Sequence, residues 1–274
     1  ENGAYRIGGA VLHDHRPHGI LTFSEIIKKS SNIGMAKVGM LLGEKDLYRY
    51  LKRFGIGEKT RISLAGESAG RLRGLGEWSS LSLRSITMGH EVSLTPIGLL
   101  TAFCALGNDG ILPRPRIVDR IESPGGELLY QFKPRRKKRA VSSRTASRML
   151  RILAQVVEEG GTGRQARMPG LKVAGKTGTA QKLSPEGGYS HTDYRALFMG
   201  MLPADDPRLA ILVVVDEPRP LYYGGVVAAP AFRTAATRIT RYLDIEPEPA
   251  SEREAALRAA GNEEIEHVQG EKES

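Results

Sequence analysis

Three β-like runs, Val173 to Ala180, Tyr194 to Met201 and Leu209 to Asp216, follow one another late in this 274-residue chain, separated by stretches rich in Pro, Gly and Asp. No helical period lies between them, and strands joined without a crossover helix pair antiparallel. The runs therefore predict a meander. Helical signals fill most of the chain before it, and one more helix, from about Ala229 to Leu243, follows it. Helices first, then consecutive strands, then a helix predicts an α+β fold with helices packed on an antiparallel sheet. The length allows one large domain with a sizeable core.

Thr22 with Glu25 three residues later forms a capping box, and Leu21 and Ile26 are spaced for a hydrophobic staple, so a helix starts at about Phe23. Ile26, Ile27, Met35, Val38, Leu41 and Leu42 supply apolar positions. Ser30-Ser31-Asn32 interrupts them with residues that favour caps over helix interiors, which predicts a short helix, a polar corner and a second helix. A third helix is expected from about Lys45 to Phe54, with Leu47, Tyr48 and Leu51 inward and Gly55 as its stop. Thr95-Pro96 opens another, with Ile97, Leu100 and Leu106 on its core face and Gly107 to Gly110 ending it. Residues 117–121 and 127–132 flank Ser123-Pro124-Gly125-Gly126 as a hairpin. Ser143 to Glu159 reads as helix, with Met149, Leu150, Leu153, Val156 and Val157 on one face. Residues 1–20 read as an irregular lead-in, and residues 55–90 as turns.

Charge divides the chain into a body, 1–245, and a tail, 246–274. The tail carries nine glutamates against Arg253, Arg258 and Lys272, a net −6 within a chain of net +9. Poor in large apolar residues, it is expected to be disordered or weakly helical. The basic run Arg135 to Arg139 has no interleaved aromatics and follows Pro134, so it reads as an exposed connection, able to face anionic lipid or cell-wall polymer, and not as a nucleic-acid site. No run approaches the roughly 18 apolar residues of a membrane span. The chain opens Glu1-Asn2-Gly3, without a basic and apolar leader, so targeting information is expected upstream. The single Cys104, in an apolar stretch, reads as a buried small hydrophobe.

Lys176-Thr177-Gly178-Thr179 at the end of the run from Leu171 is the first place where chemistry shows. A lysine there is a positive charge that can hold a peptide carboxylate and bias nearby proton transfers. Thr177 and Thr179 add hydroxyls on one strand face, and Gly178 between them lets a substrate backbone approach. Far upstream, Ser30 can relay a proton to a leaving amine and Asn32 can hydrogen-bond a substrate amide. An ordinary edge strand and a helix junction explain each motif taken singly, with Ser30 then capping the following helix. Their joint occurrence points to acyl transfer. No lysine has a serine three residues before it, so an S-x-x-K nucleophile motif is absent from this chain. His90, in Met88-Gly89-His90-Glu91, invites a role as base or ligand, but no other His, Cys or carboxylate stands at ligand spacing around it.

K-T-G with Ser-x-Asn is part of the signature of penicillin-binding proteins and serine β-lactamases. From about residue 5 to 245 the chain resembles the transpeptidase domain of class B penicillin-binding proteins, most closely the division-type enzymes. The likeness extends to Phe54-Gly55-Ile56-Gly57, Gly66 to Gly70, Val92-Ser93-Leu94-Thr95-Pro96 and Tyr223 to Pro230. It implies the penicillin-binding protein fold and a peptidoglycan D,D-transpeptidase that cross-links stem peptides ending in D-Ala-D-Ala through an acyl-enzyme. It also implies acylation by β-lactams, division partners, and an anchor in the cytoplasmic membrane with this domain outside it. By resemblance Ser30 and Asn32 are catalytic with Lys176, while Ser31, Thr177, Gly178 and Thr179 bind substrate, with no metal or cofactor. The serine nucleophile and its lysine are expected upstream of Glu1. A β-lactamase, a D,D-carboxypeptidase and a non-catalytic β-lactam sensor are the rival readings. The 146 positions between Ser30 and Lys176 and the Tyr-Gly-Gly-Val-Val-Ala-Ala-Pro block favour the transpeptidase.

Overall fold

A computed structural model describes residues 2–7, 10–132, 138–184 and 186–247. The first part of the chain holds strands β1 (Ala4–Ile7) and β2 (Ala10–His13), then helices α1 (Phe23–Lys29), α2 (Asn32–Leu42) and α3 (Glu44–Arg53). Strand β3 (Arg71–Leu72), helix α4 (Ser82–Thr87), strand β4 (Val92–Ser93) and helix α5 (Pro96–Gly107) follow. Strands β5 (Ile111–Leu112), β6 (Arg120–Glu122), β7 (Leu128–Gln131) and β8 (Lys138–Arg139) lead to helix α6 (Ser143–Ala154). The last part is β9 (Ala174–Leu183), β10 (Tyr189–Leu202), β11 (Leu209–Asp216), α7 (Gly224–Val227) and α8 (Ala229–Tyr242).

The expected meander forms, in the order β11-β10-β9, with both pairings antiparallel. Alternation along the strands divides the core in two. On one face Val173, Phe198 and Leu202 pack with Phe232 and Ala236 of α8, the Phe198 and Phe232 rings meeting 4.8 Å apart at 65°. On the other, Ala174 and Met201 pack with Phe103 of α5 and Leu150 and Leu153 of α6. Helices therefore cover both faces, as the order of elements predicts.

The Thr22–Glu25 capping box is present in full, and Thr95 caps α5 with Pro96 at its first position. Other expectations need correction. Residues 4–7 and 10–13 are not irregular: β1 and β2 pair antiparallel. The turn-rich stretch hides the short strand β3, a 3-10 turn at Leu75–Glu77 and the short helix α4. In α2 the buried positions are Ile33, Gly34, Ala36 and Gly39, while Leu41 is 89% exposed. Small residues do the packing because neighbours come close: a Cβ on Gly39 would lie 2.4 Å from Thr87 of α4, and one on Gly34 would lie 2.7 Å from Ile26 of α1. In α5 the buried side chains are Thr101, Ala102, Phe103 and Ala105. Ile97, Leu100 and a half-buried Cys104 instead line a cavity of about 380 Å³. Lys138 and Arg139, read as loop, pair with β5, though both stay exposed. The rest of the basic run and most of the acidic tail lie outside the described residues; Ile245, just before the tail, is buried in the core beneath α8.

Candidate active site

Lys176 to Thr179 sit in β9, the outer strand of the sheet, so one edge of the K-T-G-T backbone faces away from β10. Alternation sends the lysine and the threonines to opposite faces. Lys176 turns toward the corner between α1 and α2, where its Nζ donates to Ser30 Oγ at 2.7 Å and to the Thr177 carbonyl at 3.0 Å. Burial lowers its pKa to about 8, because a desolvated ammonium releases its proton more easily.

The polar corner is where the sequence places it, with roles distributed differently. Ser30 ends α1 in the left-handed region, φ 58° and ψ 43°, and its N–H donates to the Ile27 carbonyl. The cap of α2 is Ser31, not Ser30: its Oγ accepts the Gly34 N–H at 2.9 Å and donates to Asp14 Oδ2 at 2.7 Å. Ser31 is only 3% exposed. Its one proton and one of its two lone pairs are thus engaged within the fold. Asn32 is exposed, and its Nδ2 donates to the His13 carbonyl at 3.2 Å.

The other wall comes from residues 162 and 222–225. Thr177 Oγ1 pairs with Thr162 Oγ1 at 2.9 Å, and Thr179 Oγ1 accepts the Gly224 N–H at 3.1 Å. The two threonines share a face as expected, but it is this wall they meet and not Lys176. Gly224 and Gly225 are close-approach positions: a Cβ on Gly224 would lie 2.2 Å from the Leu197 carbonyl oxygen and 2.5 Å from that of Gly178. A Cβ on Gly225 would lie 2.1 Å from the Thr162 oxygen. Beside them Tyr222 stacks on Tyr194 at 4.1 Å, and Tyr223 tilts against His15 at 4.8 Å. The Tyr222 hydroxyl pushes the pKa of its hydrogen-bonded neighbour Tyr223 up to about 12. His90 is half-buried edge-on to Tyr189 at 4.7 Å, and burial lowers its pKa.

Comparison with known proteins decides what this arrangement is. The penicillin binding protein transpeptidase domain family matches residues 4–237. The chain belongs to that family. It is 32% identical to the penicillin-binding protein PbpB of Mycolicibacterium smegmatis, over 90% of this chain and 40% of that protein. It is 39% identical to the stage V sporulation protein D of Bacillus subtilis, over 78% of this chain and 33% of that protein. With the peptidoglycan D,D-transpeptidase FtsI of Escherichia coli K12 it shares 32% identity, over 89% of this chain and 40% of that protein. The chain thus spans a third to two fifths of these relatives. Among solved structures, penicillin-binding protein 3 of Mycobacterium tuberculosis complexed with ampicillin superposes with a TM-score of 0.84 at 32% identity, covering 90% of this chain and 57% of that one.

Within this penicillin-binding transpeptidase domain, the fold joins Ser30 to Lys176 directly and leaves Asn32 on the rim of the same corner. Gly178 has a packing use that its sequence context hides: a Cβ there would lie 2.9 Å from Leu197 Cγ and Cδ1. Thr162, Gly224, Gly225, Asp14 and His15 escaped the sequence reading as site residues. Doubled glycines after Tyr222-Tyr223 were a visible signal of close packing. Nothing in the local sequence marks Thr162, Asp14 or His15, whose partners lie far along the chain.

Proposed function

We propose that this chain is the part of a peptidoglycan D,D-transpeptidase that binds and orients the substrate and moves protons, cross-linking stem peptides by serine acyl transfer in cell-wall synthesis at division. The observation that carries the reading is the 2.7 Å contact between Lys176 Nζ and Ser30 Oγ, made across 146 positions of sequence. A half-buried ammonium hydrogen-bonded to a hydroxyl is equipped to hold a peptide carboxylate and to steer a proton through that hydroxyl to the leaving amine. Asn32 is placed to orient the substrate amide. Thr177, Gly178 and Thr179 supply the strand edge along which the peptide or a β-lactam lies. The attacking serine is contributed by an S-x-x-K segment upstream in the full-length protein, and the reaction calls for no metal or cofactor.

On this reading the full-length protein is anchored in the cytoplasmic membrane, with this domain outside it and division proteins as partners. None of the helices among the described residues is long and apolar enough to cross a membrane. Support for β-lactam binding comes from the ampicillin complex of the mycobacterial structure. The test is labelling of the full-length protein by a fluorescent penicillin. Lys176→Ala is expected to slow acylation by about 10²-fold or more, the loss typical of one preorganised electrostatic contact, with little change in folding. An unchanged rate would remove Lys176 from the mechanism.

A further inference from the structure

Three consecutive residues at the end of β2 touch both sides of the cleft. The His13 carbonyl accepts from Asn32 Nδ2 at 3.2 Å. The Asp14 carboxylate accepts twice, from Ser31 Oγ at 2.7 Å and from the Ile33 N–H at 3.0 Å. His15 reaches the opposite wall, its Nδ1 3.3 Å from the Tyr223 hydroxyl. At the base of this segment the Asp14 N–H donates to the Gly3 carbonyl at 3.1 Å, tying it to the β1–β2 pair.

A serine cap on α2 needs only to accept the Gly34 N–H, which Ser31 does. The added carboxylate does more. It satisfies the Ile33 N–H, another free donor of the first turn, and places a negative charge at the positive end of α2. It also fixes the Ser31 side chain by accepting the hydrogen bond of its hydroxyl. Ser31 is thus held from both directions, its N–H on the Ile26 carbonyl of α1 and its side chain on Asp14. Ser30 is the residue immediately before the one so held, and it stands at φ 58°, a conformation non-glycine residues avoid unless their surroundings impose it. That conformation is what aims its Oγ at Lys176.

We infer that Asp14 is a positioning residue for acyl transfer: by clamping the first turn of α2 it keeps Ser30 in the left-handed conformation that sets its hydroxyl on Lys176. His13 and His15 extend the same strap to Asn32 and Tyr223. The inference rests on the transpeptidase reading for its kinetic consequence and on geometry alone for its structural one.

The experiment uses the full-length protein with Asp14→Asn, Asp14→Ala and, as a control, Thr22→Ala. Asn keeps one acceptor for the Ile33 N–H but meets Ser31 with an NH₂, so the Ser31 hydroxyl has to turn its proton away and the negative charge at the start of α2 is lost. Thr22→Ala removes the cap at the far end of α1, a loss of stability without contact to the cleft. Penicillin acylation is separated into non-covalent affinity and first-order acylation rate, and the crystal structure of Asp14→Ala is determined. Both Asp14 variants are expected to lose about 10- to 100-fold in the acylation rate with affinity nearly unchanged, the scale of a misplaced catalytic group, while Thr22→Ala keeps the wild-type rate. In the Asp14→Ala crystal Ser30 should leave the left-handed region and its Oγ should move beyond hydrogen-bond reach of Lys176, roughly 3.5 Å. Wild-type acylation rates in both Asp14 variants, or Ser30 still seated on Lys176, would overturn the inference. A wild-type protein that penicillin does not acylate would instead sink the transpeptidase reading, and the crystal structure alone would then decide the role of Asp14.

Discussion

Ser30 combines a backbone that serine dislikes with a side chain the site needs. A left-handed residue bearing a Cβ carries roughly 1–2 kcal/mol of unfavourable energy, from which glycine is exempt. Stability and chemistry at this position therefore predict opposite things, and two substitutions separate them. Ser30→Gly should match or exceed the wild-type melting temperature, by up to about 1 kcal/mol in stability, because it releases that strain. Ser30→Ala keeps the strain and should sit near wild type or slightly below. Both remove the hydroxyl and should slow β-lactam acylation of the full-length protein by the same factor, about 10²- to 10⁴-fold for a lost proton path. Wild-type acylation in a thermally stable Ser30→Gly protein would show that the hydroxyl carries no proton. The alternative that Ser30 caps the following helix is answered by Ser31, which does so. From sequence alone the two serines were indistinguishable, since the split between them is set by Asp14 and Lys176, which lie 17 positions before Ser31 and 146 after Ser30.

Elements were legible where one segment carries its own signal, and obscure where a partner supplies it. Thr22 with Glu25, Thr95 with Pro96, and the long apolar runs of the meander all specify their elements locally, and each forms. The paired strands β1 and β2 have four residues each, too short to show a period and stable only by pairing. Helix α4 is six residues long, and its burial of Ser82, Arg84 and Ile86 follows no apolar pattern. Helix α7 is a still shorter element whose position depends on contact: Gly224 at its start lies against the backbones of β9 and β10, with its N–H on Thr179. The atoms a Gly224 Cβ would strike are carbonyl oxygens, which cannot turn aside as a side chain could. Gly224→Ala should therefore force α7 off the K-T-G-T strand and destabilise the protein by at least about 2 kcal/mol, the range of overpacking at a rigid site. Gly178→Ala, which meets only the Leu197 side chain, should be milder. Equal melting temperatures for the two variants would contradict this account.

At the scale of the molecule, the sheet with helices on both faces sets the electrostatics of the site. Strand β9 brings Lys176 up against Ser30 at the corner between α1 and α2, and burial holds its pKa down at about 8 instead of 10.5. The sign of the consequence follows from which state binds the proton more tightly. Below about pH 8 the lysine is charged in both folded and unfolded chains, and the folded state carries the desolvation penalty. Between about 8 and 10.5 the unfolded chain holds the proton that the folded one has released, so stability from this group rises with pH across that window. Activity runs the other way, because a neutral amine no longer attracts a substrate carboxylate. Acylation of the full-length protein by a carboxylate-bearing penicillin should thus fall as pH rises through about 8, while the stability of wild type relative to Lys176→Ala improves over the same range. Parallel pH–rate and pH–melting profiles of the two proteins measure both trends. Opposed slopes are the signature of a charge that the fold disfavours and the chemistry requires, and a flat rate profile between pH 7 and 9.5, roughly one to two units either side of that midpoint, would mean that Lys176 does not act through its charge.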